Sequence, residues 1–421
     1  MKATLRTVRL TLAEPLRISR STTTARDAVW LTIEHDGLHG HGEAVTSVYY
    51  GLDTGTLRQR LYVSGRDLSR FPDPESALRE WPARGGKRDG QDDTRPPGVT
   101  AAVEAALLDL CGKRSGTPVF RLLGSESPRG TRSPGSAGSA GSAGSAGSAG
   151  SAESAGSSES AGSAPTARSA PSAPTAHTAR TIGIVPAPHA AAQARALVAA
   201  GFALIKVKAG TPDPEDDLDR VRAIRSAAPG VRLLLDPNGA WTADRTRHLL
   251  PRYAELGVEA VEQPIAPGDP ETLARLAERS PLPLIADEDV VNLEDVRRLA
   301  GRVHGVNVKL AKCGGPLAAL RMAEVIAGSG TELMLGCLTA STLGLAPAVH
   351  LADRARWADL DGHLLLAHDP WTGIGGADGV VRASELPGLG VREKDAGAPG
   401  VRERGPQDVR EQETRGTGGR P

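Results

Sequence analysis

Two lysines stand one residue apart in an otherwise apolar run, LIKVKAG, residues 204–210. On a β-strand, side chains two residues apart point to the same face, so Lys206 and Lys208 share one side. If that side is buried, each ammonium raises the cost of charging the other, and desolvation adds to it. An amine held near neutrality is a usable general base. Further ionisable residues follow at a regular interval: Asp236, Glu262, Asp287 with Glu288 beside it, and Lys309. The steps from Lys208 onward are 28, 26, 25 and 22 residues. Three carboxylates that converge repel one another unless a cation lies between them, and hard oxygen ligands of this kind suit Mg²⁺. Three separate ion pairs to arginine would be the alternative. Asn238, two residues after Asp236, is placed to orient a ligand or water. Glu288 is expected to point away from Asp287 and to support it from behind. A base beside a divalent cation can take a proton from the carbon next to a carboxylate, because the cation holds the charge that develops on the carboxylate oxygens.

Something must bring these residues together. From Arg180 onward eight short apolar runs occur: TIGIVPA, LIKVK, VRLLLD, VEAVEQP, LPLIADE, GVNVKL, TELMLGC and RWADLDG. Helical patterns such as DDLDRVRAIRSAA and PLAALRMAEVIAGSG lie between them. Strand alternating with helix implies parallel βαβ units. Eight units in roughly 200 residues predict an α/β fold of (β/α)₈ TIM type, over residues 179–390. An open doubly wound sheet is the rival, but no Gly-rich phosphate loop follows any of the strands. Each charged residue above ends its run, and that end of a barrel is where active sites are built. Lys208 and Lys309 are then four strands apart, on opposite sides of the mouth.

Residues 1–124 read as an α+β capping domain. VRLTLAEPLRI and AVWLTIEHDGLHGHGEA alternate apolar and polar residues around a turn at Asp36-Gly37. GVTAAVEAALLDLCGKRSG repeats apolar residues at helical spacing. Residues 125–178 are a Gly/Ser/Ala/Pro-rich insertion with almost no apolar bulk, expected to be disordered. Its three-residue period lacks the proline of a collagen repeat. The charged tail, 391–421, has no apolar periodicity and is expected to be disordered as well.

Composition narrows the partners. Fifty basic residues balance fifty acidic ones, which gives no reason to expect nucleic acid or an anionic membrane. Three scattered cysteines, Cys111, Cys313 and Cys337, fit no disulfide framework or zinc knuckle, and a reducing cytoplasm is the simplest home. MKATLRTVRLTLAEP has no uninterrupted apolar core of a secretory signal. No run approaches the roughly 20 apolar residues of a membrane span. A small-molecule substrate is expected, and a homo-oligomer is compatible with it.

The constellation resembles the enolase superfamily, in particular its muconate-lactonizing branch. The resemblance rests on the K-x-K of Lys206 and Lys208, the D-x-N of Asp236 and Asn238, Glu262 in EQP, Asp287 in ADE, and Lys309 in VKLAKCGG. GEAVTSVYYG and AALLDLCGKRSGTPVFRLLG look like the family's cap, and GHLLLAHDPWTG and LPGLGV like the segment that returns to it. The resemblance implies Mg²⁺ on Asp236, Glu262 and Asp287, and exchange of a substrate α-proton between Lys208 and Lys309, with Lys206 beside them. Asp359 and Asp361 at the eighth strand resemble the D-x-D of dipeptide epimerases, which holds the free α-ammonium of a dipeptide. A helix cap, or salt bridges to Arg354 or Arg356, would be the plainer use of that pair. LGCLTASTLGLAPAVHLA resembles the seventh-strand segment of those enzymes, with Leu338 where Met is usual and Thr339 where some members carry Glu. The family's loops near LRISRSTTT and SVYYG touch the distal end of the substrate, which makes Arg17, Arg20 and Tyr50 candidates. The expected activity is epimerisation of a dipeptide's C-terminal residue. N-acylamino acid racemase, o-succinylbenzoate synthase and muconate-type cycloisomerase are alternatives, and a non-catalytic binding barrel is a remote one. His350, after the seventh strand, is expected to pack or cap.

Overall fold

The structure is a computed structural model that describes residues 1–81, 95–124 and 172–394, and the backbone of 404–407. Three strands open the chain: β1 (Lys2–Ile18), β2 (Ser21–His35) and β3 (Leu38–Val45). They pair antiparallel in sequence order. β2 and β3 are joined across Asp36 and Gly37, whose φ values of 51° and 77° suit a two-residue hairpin turn. Helices α1 (Thr54–Leu68), α2 (Pro74–Glu80), α3 (Pro97–Ser115) and α4 (Val119–Leu122) complete the cap. The core of this cap is built from Val29, Leu31, Leu57, Leu61, Val103 and Leu107, among others.

A short strand β4 (Thr175–His177) leads into the barrel strands. These are β5 (Arg180–Ile182), β6 (Leu204–Lys208), β7 (Arg232–Asp236), β8 (Ala260–Glu262), β9 (Leu284–Ala286), β10 (Gly305–Lys309), β11 (Glu332–Gly336) and β12 (Trp357–Asp359). All eight expected strands are present, in sequence order, and every neighbouring pair is parallel. The amide of Ala179 donates to Ala358 O at 2.7 Å and brings the last strand back to the first. Between the strands run α5 (Ala187–Ala199), α6 (Pro214–Ala227), α7 (Ala243–Glu255), α8 (Pro270–Ala277), α9 (Leu293–Leu299), α10 (Leu310–Cys313), α11 (Pro316–Ile326) and α12 (Thr342–Val349). Side-chain caps start several of them: Asp213, Thr242, Asp269 and Ser341 each accept a backbone N–H, and Asn292 forms a capping box with Asp295.

Strand alternation sorts the barrel into layers. Ile205, Val207, Leu233 and Leu235 pack in the large core with the helices. Their neighbours Leu204, Leu234, Ala260, Ile285, Met334 and Trp357 form a separate apolar cluster, the floor inside the barrel. Two residues further along each strand, on the same face, come Lys206, Asp236, Glu262, Asp287, Asn307 and Asp359, all buried. A dry floor therefore lies beneath a ring of charge. Gly336 holds its place in that ring because any Cβ there would stand 2.4 Å from Asn307 Oδ1.

Two boundaries differ from the sequence reading. Residues 125–171 of the expected insertion lie outside the described residues, but 172–178 are ordered: β4 pairs with β14 (Val380–Arg382). Backbone pairing to a strand supplies what apolar bulk did not. The tail is likewise structured in part. Arg392–Glu393 (β15) pairs with Trp371–Thr372 (β13), and Arg404–Gln407 (β16) adds to β1 at the open edge of the cap sheet. A free sheet edge accepts main chain whatever the side-chain pattern. The rest of 391–421 lies outside the described residues. No helix among the described residues is long and apolar enough to cross a membrane.

Candidate active site

The end of β6 answers the question its two lysines raise. Asp236 Oδ2, from β7, lies between them, 3.0 Å from Lys206 Nζ and 2.5 Å from Lys208 Nζ. Lys206 Nζ is also 2.7 Å from Glu262 Oε2 and 2.7 Å from Asp359 Oδ2. Three acids from three strands thus surround one buried ammonium. Burial opposes the charge of Lys206, but Asp236, Asp359 and Glu262 outweigh it and hold its pKa well above the usual lysine value. The expectation that like charge and burial drive this pair toward neutrality fails for Lys206, because the carboxylates compensate both.

Across the barrel, Lys309 Nζ at the end of β10 is 2.7 Å from Asp287 Oδ2. Burial again opposes its charge, and Asp287 and Glu262 raise its pKa above the ordinary value. Asp236 and Asp287 are both fully buried and both held below the usual carboxylate range, by Lys206 with Lys208 and by Lys309 with Lys312 respectively. Glu262 goes the other way. Burial, then the charge of Asp236, push it up to about 8. β6 and β10 are four strands apart in the ring, so the two lysine–aspartate pairs face each other across the mouth.

Several supports were invisible to the sequence reading. Lys312, three residues after Lys309 on α10, is fully buried and ion-paired to Asp287 Oδ1. Its ammonium also donates to Asp287 O at 2.6 Å and Asn307 O at 3.3 Å. Asn307 Nδ2 donates to Glu262 Oε1 at 2.9 Å. Gln263 Oε1 accepts the Asp287 amide at 2.9 Å, while its Nε2 donates to Asp289 Oδ2 at 2.7 Å. Gln263 and Asn238 both have positive φ, 37° and 50°, uncommon for residues other than glycine and concentrated here beside Glu262 and Asp236. A second lysine in VKLAKCGG and the glutamine of EQP were the available signals.

The other expected residues are placed as follows. The Asn238 amide donates to Asp236 Oδ1 at 2.9 Å, and its Nδ2 donates to Asp236 Oδ2 at 3.2 Å. Glu288 does not point away. β9 ends at Ala286, so strand alternation no longer governs it, and Glu288 Oε1 turns into the mouth. There it accepts Asn238 Nδ2 at 3.4 Å and Arg20 Nη2 at 2.7 Å. Arg20 reaches down from the cap and donates also to Asn238 O at 2.9 Å, with Tyr49 under its guanidinium. Tyr50 is partly buried, and its pKa is raised by burial and by the charge of Asp287. Arg17 is exposed beside the first strand, where its carbonyl accepts the Ile184 amide. Asp359 and Asp361 are both buried, but neither pairs with Arg354 or Arg356. Asp359 Oδ2 accepts from Lys206 and its Oδ1 has no hydrogen-bond partner. Asp361 Oδ2 takes the Thr181 amide at 2.7 Å and Arg180 Nη1 at 3.2 Å. His350 accepts the Phe120 amide at 3.1 Å and stacks on that ring, an anchor for the cap.

The donors suit a hard divalent cation: buried carboxylate oxygens from three successive strand ends, of which Glu262 Oε2 touches Lys206 but has no aligned hydrogen bond. As the side chains stand, the lysines take up this charge, and no three His, Cys, Asp or Glu among the described residues are arranged to hold a metal ion.

Two family models match: the mandelate racemase/muconate lactonizing enzyme N-terminal domain over residues 1–124, and the enolase C-terminal domain-like model over 189–396. The chain belongs to the enolase superfamily. A hydrophobic dipeptide epimerase of Roseobacter litoralis is 28% identical over 397 residues, 93% of this chain and 98% of that one. An L-Ala-D/L-amino acid epimerase of Flavobacterium johnsoniae is 39% identical over 188 residues, 45% of this chain and 55% of its own length. Among solved structures, a dipeptide epimerase of Enterococcus faecalis complexed with Mg and the dipeptide L-Leu-L-Tyr superposes with a TM-score of 0.76 at 26% identity. That match covers 93% of this chain and 98% of the other.

Proposed function

We propose that this chain is a Mg²⁺-dependent epimerase that inverts the α-carbon of a dipeptide's C-terminal residue by two-base proton transfer. The observation that carries the reading is the opposed pair of lysines, each set on a carboxylate at the end of its own side of the barrel. Bound among Asp236, Glu262 and Asp287, Mg²⁺ would supply positive charge against the substrate carboxylate as the adjacent carbon loses its proton. Lys208 Nζ takes the α-proton from one face. Lys309 Nζ returns a proton to the other, and the reverse reaction exchanges the roles. Lys206 stays charged and holds Asp236, Glu262 and Asp359 in register. Asn238 and Gln263 fix the aspartates, and Arg20 and Tyr50 bring the cap over the mouth.

Asp359 and Asp361 are the proposed seat of the free α-ammonium, with the unpartnered Asp359 Oδ1 as the first acceptor offered to it. A second reading, an N-acylamino acid racemase, draws on the Arg180–Asp361 pair, which already spends part of that negative charge. Asp359→Asn and Asp361→Asn separate the two. Losing a charge-assisted contact costs roughly 1.5–3 kcal/mol, so turnover of free dipeptides should fall on the order of tenfold to a hundredfold while N-acetylated ones change little. Equal losses on both substrate types would remove the ammonium assignment.

A further inference from the structure

The surfaces that overhang the lysines carry little free charge. Arg20 reaches the mouth from the cap, and both its terminal nitrogens are spent, on Glu288 and on Asn238 O. The residues after it, Ser21, Thr22, Thr23 and Thr24, offer only hydroxyls. Arg26 is turned back onto Thr46 O. Next to this strand turn hangs the loop Ser47–Gly51. Val48 is fully exposed, Tyr49 is about half exposed at 47% and lies against Arg20, and Tyr50 packs edge-on against Tyr49 with ring centroids 4.9 Å apart. Arg20, which lies over the Tyr49 ring, donates to Glu288, the residue after the Asp287 that pairs with Lys309, so this aromatic pair stands over the Lys309 side of the mouth. On that side Lys309 also borders a cavity walled by Val45, Leu310, Leu338, Ala340 and Leu345. The one acid in that wall, Glu43, has its oxygens bonded to Trp30 and Ser341.

We propose that this site selects dipeptides whose reacting residue bears an apolar or aromatic side chain, with Tyr49, Tyr50 and the aliphatic wall beside Lys309 as the selecting surfaces. The inference rests on the epimerase reading above. An acidic side chain placed there would lose its hydration and meet no uncommitted cation among the described residues of these surfaces, whereas an apolar one exchanges water for ring and aliphatic contact. Arg17 is exposed, and its carbonyl accepts the Ile184 amide beside β5, three strands from β10 around the closed ring.

The test is deuterium incorporation at the α-carbon of L-Ala-L-Phe, L-Ala-L-Leu, L-Ala-L-Glu and L-Ala-L-Lys in D₂O, compared as kcat/KM. L-Ala-L-Phe and L-Ala-L-Leu should each exceed L-Ala-L-Glu by at least about tenfold, as hydrophobic pocket discrimination allows. Tyr49→Ser, on an exposed loop, should narrow the Phe-to-Glu ratio several-fold whatever it does to the absolute rate. Exchange with L-Ala-L-Glu or L-Ala-L-Lys as the best substrate, or an unchanged ratio in Tyr49→Ser, would overturn the inference and leave the epimerase reading standing. No exchange with any of the four would overturn the epimerase reading and the inference with it.

Discussion

Two buried glutamates of the cap make a measurable claim about stability and pH. Glu43, on β3, accepts the Ser341 amide at 2.9 Å and Trp30 Nε1 at 2.7 Å, and also takes the Ser341 hydroxyl. Glu104, on α3, accepts the Leu317 amide at 2.6 Å at the start of α11. Each pins the cap to a barrel helix, and burial pushes each carboxyl up to about 7 from an ordinary 4.5. Asp369 adds to the rise at Glu43, and Arg321 opposes it at Glu104. A group whose folded pKa is raised binds its proton more tightly in the folded state. Its contribution is complete below the unfolded value and is lost as pH rises through the folded one. Between about pH 5 and about pH 7 each glutamate should therefore withdraw about 2 kcal/mol of stability. His41 and His350, both lowered to about 4 by burial, act with the opposite sign over this range and return about 2 kcal/mol each, so only the difference between parent and variant isolates one glutamate. Glu43→Gln removes one of the two titrations. The assay is urea unfolding at both pH values for the parent chain and for Glu43→Gln. On going from about pH 5 to about pH 7, the parent's stability should change by about 2 kcal/mol less favourably than the variant's. An equal change in both would refute the assignment of a titrating proton to Glu43.

Two further outcomes follow from the same contacts. Deleting residues 134–170 should leave the fold intact and turnover within a few-fold, because the described residues on either side of it, Arg121 and Ala173, meet at one carboxylate: Glu385 accepts Arg121 Nη2 at 2.7 Å and the Ala173 amide at 3.0 Å. Loss of folded protein on deletion would contradict it. Lys312→Met should cost about 1–3 kcal/mol in chemical unfolding, since it leaves buried Asp287 Oδ1 without its partner while Lys309 still holds Oδ2, and a cost near zero would show that the pair is not formed.

The barrel was legible because period and interval agree. Apolar runs, five of them in succession ending in charge at steps of 22 to 28 residues, leave few folds open, and the layers inside the barrel repeat the alternation that put Lys206 and Lys208 on one face. What the chain order hid was contact across strands. Nothing local marks Asp236 as the acid between those two lysines, or Lys312 as the partner of Asp287. The rule of alternation also misled at Glu288, where the strand had already ended. Arg180 as the partner of Asp361 joins positions 181 residues apart, beyond any sequence period. The pairing of 404–407 with β1 is a main-chain event that side-chain pattern does not record.

The opposed lysines are the centre of the account, and isotope exchange tests them most directly. An L,L-dipeptide and its L,D-epimer are each incubated in D₂O with Lys208→Ala and with Lys309→Ala, and both α-hydrogen exchange and net inversion are followed. Each variant should fail to interconvert the epimers, yet each should still exchange the α-hydrogen of one of them, because the remaining lysine can remove and return a proton on its own face. The two variants should choose opposite epimers. Inversion by Lys309→Ala at close to the parent rate, or exchange of the same epimer by both variants, would contradict the two-base assignment.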